Sequence, residues 1–368
     1  MMTGNYILPF EQCDKSQHNR VGGKCASLGA MIQADAPVPP GFAVTVDSYS
    51  ALLDQHGLRT RIKAEIDLID QSSIASEAEH GEALRDMILA EPMPGDVEAA
   101  IRQAYVALCA ANSTEELPVA VRSSATAEDL PGASFAGQQD TYLWVMGADA
   151  VVENVHKCWA SLFTNRAIAY RHDQGFEHDQ VLMAVAVQKM VNSRAAGVAM
   201  TLNPINGDRS KVVIDSSFGL GESVVAGEVT PDNFVVDKII LQPVSEKISP
   251  KHIEIVPDFA NKCVVTKPVD PARQTLPSIT RDELIAVAAI AKRAEKFYGT
   301  PQDVEWAIDP ELEAPNNVVL LQSRPETVWT QKQAEEAANK PKKKIQTGVY
   351  GILGTLMTPT KTGVNKKK

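Results

Sequence analysis

The segment AVRSSATAEDLPGASFAGQQDT, residues 120–141, gathers Ser, Thr, Ala and Gly around Arg122, directly after an apolar run. Phosphate groups make that kind of demand: backbone N–H donors unshielded by side chains, a few hydroxyls, and one or two cations. Gly132, Ala133, Ala136 and Gly137 allow close backbone approach, while Ser123, Ser124, Thr126, Ser134 and Thr141 offer hydroxyls. Arg122 can grip phosphate oxygens through two parallel donors. The same composition suits a surface loop with an ordinary ion-paired arginine, and the segment alone leaves both readings open.

Lys24, in VGGKCASLG, is a second candidate cation, placed after two glycines at the head of a helical run. It is not a P-loop lysine, because that motif requires an earlier glycine and a hydroxyl where Cys25 stands. GLGESVVAGE starts like a dinucleotide fingerprint with Gly219 and Gly221, but Val224 stands in place of the last glycine, so that reading fails.

A third constellation lies near the C-terminus, in DVEWAID and NNVVLLQSRP. Strand alternation puts Val304, Trp306 and Ile308 on one face and Glu305 on the other with Asp303 and Ala307; Gln322 and Arg324 share a face by the same rule. If the strands pair, a carboxylate, an amide oxygen and a guanidinium converge. That set suits Mg²⁺ bridging nucleotide phosphates, because magnesium takes oxygen ligands and usually only one or two from protein. A polar sheet face open to water is the other outcome of the same alternation.

These residues must be held by a mixed scaffold. Residues 42–46 read as a strand, and 47–112 as a helical shell in which Ile101, Tyr105 and Leu108 fall on one face. LPVAVRSS and DTYLWV read as strands, and 148–174 as one long helix. From residue 181 β-branched runs alternate with turns, predicting a mostly antiparallel sheet. A helix opening at Thr280 and closing on Gly299 precedes the hairpin. The expected division is 1–199, 200–330 and a basic, flexible tail from 331 to 368.

With 368 residues and a net charge of −10, the chain has a sizeable core and no basic footprint for nucleic acid. The start lacks a signal-peptide pattern and no stretch is apolar enough to span a bilayer, so a cytoplasmic location with no membrane attachment is expected. Five cysteines lie far apart without a CxxC pair, which argues against a zinc site or a disulfide framework.

Taken in order, VGGKCASLG, PVPPGFAVT, VAVRSSATAEDLPGASFAGQQDTYL, VQKMV, GLGESVVAGEVTPDNFVVD, DVEWAID and LQSRPETVW resemble the N-terminal ATP-binding domain of the phosphoenolpyruvate synthase and pyruvate phosphate dikinase family. The similarity runs from about residue 19 to 329. It implies an α+β, ATP-grasp fold in which two lobes enclose ATP beneath a small-residue loop. It also implies nucleotide contacts at Lys24, Arg122, Gly137, Thr141, Gln188, Glu222, Glu305, Gln322 and Arg324. Lys24, Arg122 and Arg324 would hold phosphates and offset charge during transfer. Gln188 would meet the adenine or ribose, and Glu305 and Gln322 would bind Mg²⁺ or Mn²⁺.

The family reaction gives the diphosphoryl group of ATP to a histidine, releasing AMP and then phosphate. The seven histidines here occur in contexts such as SQHNR, DQHGL and KHIEI, and none fits the family's G-G-x-x-S/T-H pattern. The expectation is therefore a phosphohistidine-bearing partner subunit. That split arrangement resembles the phenol-phosphorylating phenylphosphate synthases. A phosphoenolpyruvate synthase half, an antibiotic phosphotransferase half and a non-catalytic ATP-sensing subunit are the alternatives. Residues 125–138 are expected to form a mobile cover over the phosphates.

Overall fold

In VAVRSSA and MAVAVQK a large apolar residue is followed each time by a small or polar one, the period of a strand with two unlike faces. Both segments are strands of one five-stranded sheet. The computed structural model describes residues 6–126, 140–175 and 181–329. Most of the small-residue segment, including Gly137, and the tail from 330 lie outside the described residues.

The N-terminal elements begin with β1 (Ile7–Pro9), α1 (His18–Gln33), β2 (Gly41–Val44), α2 (Val46–Leu53), α3 (Leu58–Ile66), α4 (Ile74–Ala90) and α5 (Gly95–Ala111). They continue with β3 (Val119–Ala125), β4 (Thr141–Val145), α6 (Ala148–Ala160), α7 (Asn165–Gln174) and β5 (Met183–Lys189). The sheet order is β1-β2-β5-β3-β4, with every neighbour antiparallel. Val119, Val121 and Ala125 of β3 and Met183, Val185 and Val187 of β5 pack into a core with residues of α2 to α6, among them Ile101 and Tyr105, while Leu108 packs on its margin. The alternate residues Ala120, Arg122, Ala186 and Gln188 face the other way. There α1 contributes Val21, Cys25 and Leu28 to a smaller cluster with Ala43 and Ala186.

Two expectations shift. The strand expected at 42–46 ends at Val44, because Thr45 is the extended residue that opens α2. The long helix expected at 148–174 is two helices. A 3₁₀ turn, Ser161–Phe163, separates them, and Thr164 restarts the chain by accepting a hydrogen bond from the Ala167 N–H.

The C-terminal elements are β6 (Ala195–Met200), β7 (Lys211–Phe218), α8 (Glu222–Val225), β8 (Asp232–Asp237), β9 (Gln242–Lys247), β10 (Ile253–Asp258), β11 (Cys263–Pro268), α9 (Arg281–Tyr298), β12 (Gln302–Ile308) and β13 (Val318–Pro325). Six of these strands form a second antiparallel sheet, ordered β13-β12-β6-β7-β8-β9, and β10 and β11 form a separate hairpin. α9 carries the full capping box of Thr280 and Glu283 and ends on Gly299 at φ 73°. Its Leu284, Val287 and Ala291 pack on Val304, Trp306 and Ile308. Strands and helices are thus mixed in the α+β manner. The chain changes sheet between β5 and β6, and the boundary expected at 199/200 falls inside β6; by contact density the chain divides after Thr327. No helix among the described residues is long and apolar enough to cross a membrane.

Candidate functional site

Lys24 is positioned by the glycine two residues before it. Gly22 has φ +71°, and a Cβ there would lie 2.0 Å from the backbone oxygen of Ser124, so only glycine lets α1 come this close to β3. The Ser124 hydroxyl closes the joint, donating to Val21 O at 2.7 Å and accepting from Cys25 N–H at 3.2 Å. Lys24 is buried, and its Nζ donates to Ser123 O. Two hydroxyls expected to serve phosphate are therefore committed to the scaffold, because Thr126 Oγ1 likewise donates to Leu182 O at 3.2 Å.

Arg122 leaves β3 in the opposite direction from the helical core and reaches the second sheet. Its Nη2 donates to Glu305 Oε2 at 2.9 Å and to Gln322 Oε1 at 2.7 Å, and its Nη1 donates to Leu321 O at 3.1 Å. Glu305 and Gln322 are direct register partners across β12 and β13, and Asp303 faces Arg324. A bulge follows Glu305, so that Trp306 pairs with Leu320 and Leu321 is the extra residue. Its carbonyl is the one turned toward Arg122. Burial alone would raise the Glu305 carboxyl, but Arg122, Arg324 and Lys24 together hold it below its usual range.

A cavity of about 490 Å³ opens beside this cluster, a size typical of small-molecule sites. Lys24, Arg122, Thr141, Gln188, Glu222, Glu305 and Arg324 all line it. Gln322 is buried beside it and accepts the Arg122 Nη2 hydrogen bond. Gln188 is buried, pairs with Ala120 across the sheet and donates from Nε2 to Pro39 O at 3.3 Å. Thr141 is the register partner of Arg122. Glu222 begins α8, and burial, reinforced by Glu228, raises its carboxyl. Gly137 lies outside the described residues. Arg166 also lines the cavity, and nothing in the sequence distinguishes it from a solvated residue on a helix face.

Asp303 carries a pH dependence of its own. Burial, with Glu326 adding and Arg324 opposing, pushes its carboxyl up to about 6. A carboxyl with a folded pKa above the unfolded value of about 3.9 binds more protons in the folded chain between the two. Stability contributed by this group therefore falls as pH rises through that window and stays lowered above it. The expected result is that Asp303→Asn melts higher than the unmodified chain near pH 8 but not near pH 4. Thermal denaturation at the two pH values checks it, and equal melting near pH 8 contradicts it.

Among the described residues no group of three or more His, Cys, Asp or Glu side chains could hold a metal ion. The Glu305 and Gln322 oxygens nevertheless converge on a single cationic nitrogen, Nη2 of Arg122, so the pair can share one positive centre. A carboxylate and an amide oxygen are donors that magnesium accepts.

Residues 18–345 match the family described as pyruvate phosphate dikinase, AMP/ATP-binding domain. A probable phosphoenolpyruvate synthase of Staphylothermus marinus is 45% identical over 356 residues, covering 91% of this chain and 43% of that protein. The phosphoenolpyruvate synthase of Aeropyrum pernix is 42% identical, covering 97% of this chain and 47% of its own length. That of Neisseria meningitidis serogroup B is 41% identical, covering 90% and 43%. The chain spans less than half the length of each of these relatives. With a match this long laid over the Lys24, Arg122, Glu305 and Arg324 cluster, the chain belongs to the pyruvate phosphate dikinase AMP/ATP-binding domain family.

Proposed function

We propose that this chain is the ATP-binding part of a phosphotransferase of the phosphoenolpyruvate synthase type, built on an ATP-grasp fold, and that it performs the first half-reaction. The observation that carries the reading is the convergence of Lys24, Arg122 and Arg324 around the Glu305 carboxylate on the wall of one cavity. The base of ATP lies toward Gln188 and the triphosphate toward the three cations, with Thr141, the register partner of Arg122, beside the phosphates. Mg²⁺, when bound by Glu305 and Gln322, offsets phosphate charge.

A histidine nitrogen attacks the β-phosphorus, the bond from that phosphorus to the α,β-bridging oxygen breaks, and AMP leaves. Lys24, Arg122 and Arg324 contribute by orienting the phosphates and stabilising the charge on the departing oxygen, which is the larger part of catalysis in phosphoryl transfer. The histidine belongs to another domain, expected on a partner subunit. The names carried by the relatives favour phosphoenolpyruvate synthase chemistry over phenol phosphorylation, for which no side chain of the cavity speaks. A purely ATP-sensing role is disfavoured by the presence of all four charged residues.

The test is incubation of the purified chain with ATP labelled at the β-phosphate, alone and with a phosphohistidine-type partner. No labelled protein is expected from the chain alone. With the partner, acid-labile label on the partner's histidine and an equivalent of AMP are expected. ADP as the sole nucleotide product overturns diphosphoryl transfer.

A further inference from the structure

Lys24 stands between two joints on α1. On its N-terminal side the helix meets the first sheet, where Gly22 lies against the backbone of Ser124 and the Ser124 hydroxyl bonds Val21 O and Cys25 N–H. One turn after Lys24, Ser27 meets the second sheet. Its hydroxyl donates to Ser323 O on β13 at 2.7 Å, and the Tyr298 hydroxyl, at the end of α9, lies 3.0 Å from Ser27 Oγ. With the Ser27 proton given to Ser323, the tyrosine is the donor in the second contact. Residues three apart on a helix are neighbours, so Ser27 and Lys24 adjoin on the surface of α1.

A serine within a helix usually turns its hydroxyl back to a carbonyl of its own preceding turn. Here the hydroxyl goes to another element, and the residue that receives it is itself anchored. Ser323 lies between Gln322 and Arg324 and pairs with Val304, and its own hydroxyl donates to the buried Gln302 Oε1 at 3.0 Å. β13 ends the six-stranded sheet, so its outer edge needs donors from elsewhere. Arg122 supplies one to Leu321 O at 3.1 Å, and Ser27 supplies the next, two residues on, to Ser323 O. The segment after α1 is tied to the C-terminal elements as well: Leu320 N–H donates to Pro37 O at 2.8 Å, and Arg293 Nη1 to Asp35 O at 2.7 Å. Those bonds can keep α1 docked when the Ser27 hydroxyl is removed. The Ser27 tie lies within one turn of Lys24. Lys24 and Arg324 both act on the Glu305 carboxylate, so the separation of α1 and β13 decides how the two cations share one anion.

We propose that Ser27 is a positioning residue for Lys24: it sets α1 against the Gln322–Arg324 stretch of β13, so that cations carried by the helix and by the strand act on one ligand at a fixed spacing. Ser27 works through Lys24 and does not itself touch the nucleotide. The proposal rests on the ATP reading above.

The experiment is calorimetric titration of the full chain with ATP, unmodified and as Ser27→Ala, Ser27→Thr, Lys24→Met, and Ser27→Ala combined with Lys24→Met. Alanine is the best helix former, so Ser27→Ala is expected to fold. It is expected to weaken ATP binding about fivefold, the size of one ordinary hydrogen bond, whereas Ser27→Thr, which keeps the hydroxyl, should stay within about twofold of the unmodified chain. In the Lys24→Met background the same Ser27→Ala change should cost less than about twofold, because the group it positions is gone. A serine that only supports the fold gives the same loss in both backgrounds, and that additive result overturns the proposal. So does unchanged ATP affinity in Ser27→Ala or in Lys24→Met, or a Ser27→Thr chain as weak as Ser27→Ala. Failure of the unmodified chain to bind ATP is a different result, and it overturns the nucleotide reading itself.

Discussion

Glu305→Ala is expected to lower AMP formation from ATP by about 10²- to 10³-fold, the range for loss of one preorganised electrostatic partner. The carboxylate sits 2.9 Å from Arg122 and within the influence of Arg324 and Lys24. Its removal takes away the carboxylate that Arg122, Arg324 and Lys24 all act on. Binding of metal-free ATP should therefore be at least as strong as in the unmodified chain, while turnover with Mg²⁺ collapses. Titration in the presence of a chelator, beside the AMP assay with the histidine-bearing partner, separates the two effects. A variant that unfolds at room temperature, or that turns over normally, removes Glu305 from the proposed machinery.

Asp232→Ala is expected to cost about 3–5 kcal/mol of stability, the usual consequence of stranding one member of a buried ion pair. Asp232 and Lys251 are both fully buried, 2.6 Å apart. Asp232 also accepts from Ser249 N–H at 3.0 Å, from Ser278 N–H at 2.8 Å and from the Ser278 hydroxyl at 2.7 Å. One carboxylate thus joins β8, the approach to β10 and the segment that leads into α9. Lys251 lies over the Phe218 ring and has no route to water. Urea denaturation measures the loss, and a shift under about 1 kcal/mol contradicts the account. Replacing both partners by apolar residues, Asp232→Leu with Lys251→Met, should recover much of it.

What the sequence made legible follows the range of the forces involved. The face shared by Glu305, Gln322 and Arg324 was readable because strand alternation is local, and so was the Thr280 cap of the helix that precedes it. The bulge after Glu305 was not readable, since nothing in VVLLQSRP marks Leu321 as the residue the partner strand skips. The use of Ser124 to brace α1 was hidden for a related reason. A hydroxyl beside an arginine looks the same whether it faces a ligand or a helix 103 residues away in sequence. Nothing in the sequence pairs Asp232 with Lys251, because only the closed fold brings the two together. The split of 148–174 had a signal in FTN, a hydroxyl before a fresh helical turn, but the apolar spacing on both sides outweighed it.

Arg122 has one further consequence. It grips Glu305, Gln322 and Leu321 O from the far sheet, so the cavity carries its own counter-ion, and a visiting anion has to displace an internal competitor before it binds. Under the proposed function, a small, singly bound anion such as chloride is expected to offer too little to win that exchange, whereas a polyphosphate that engages Lys24, Arg122 and Arg324 together is expected to win it. The pairing would then act as a threshold, favouring a chain of phosphates over the common anions of the surroundings.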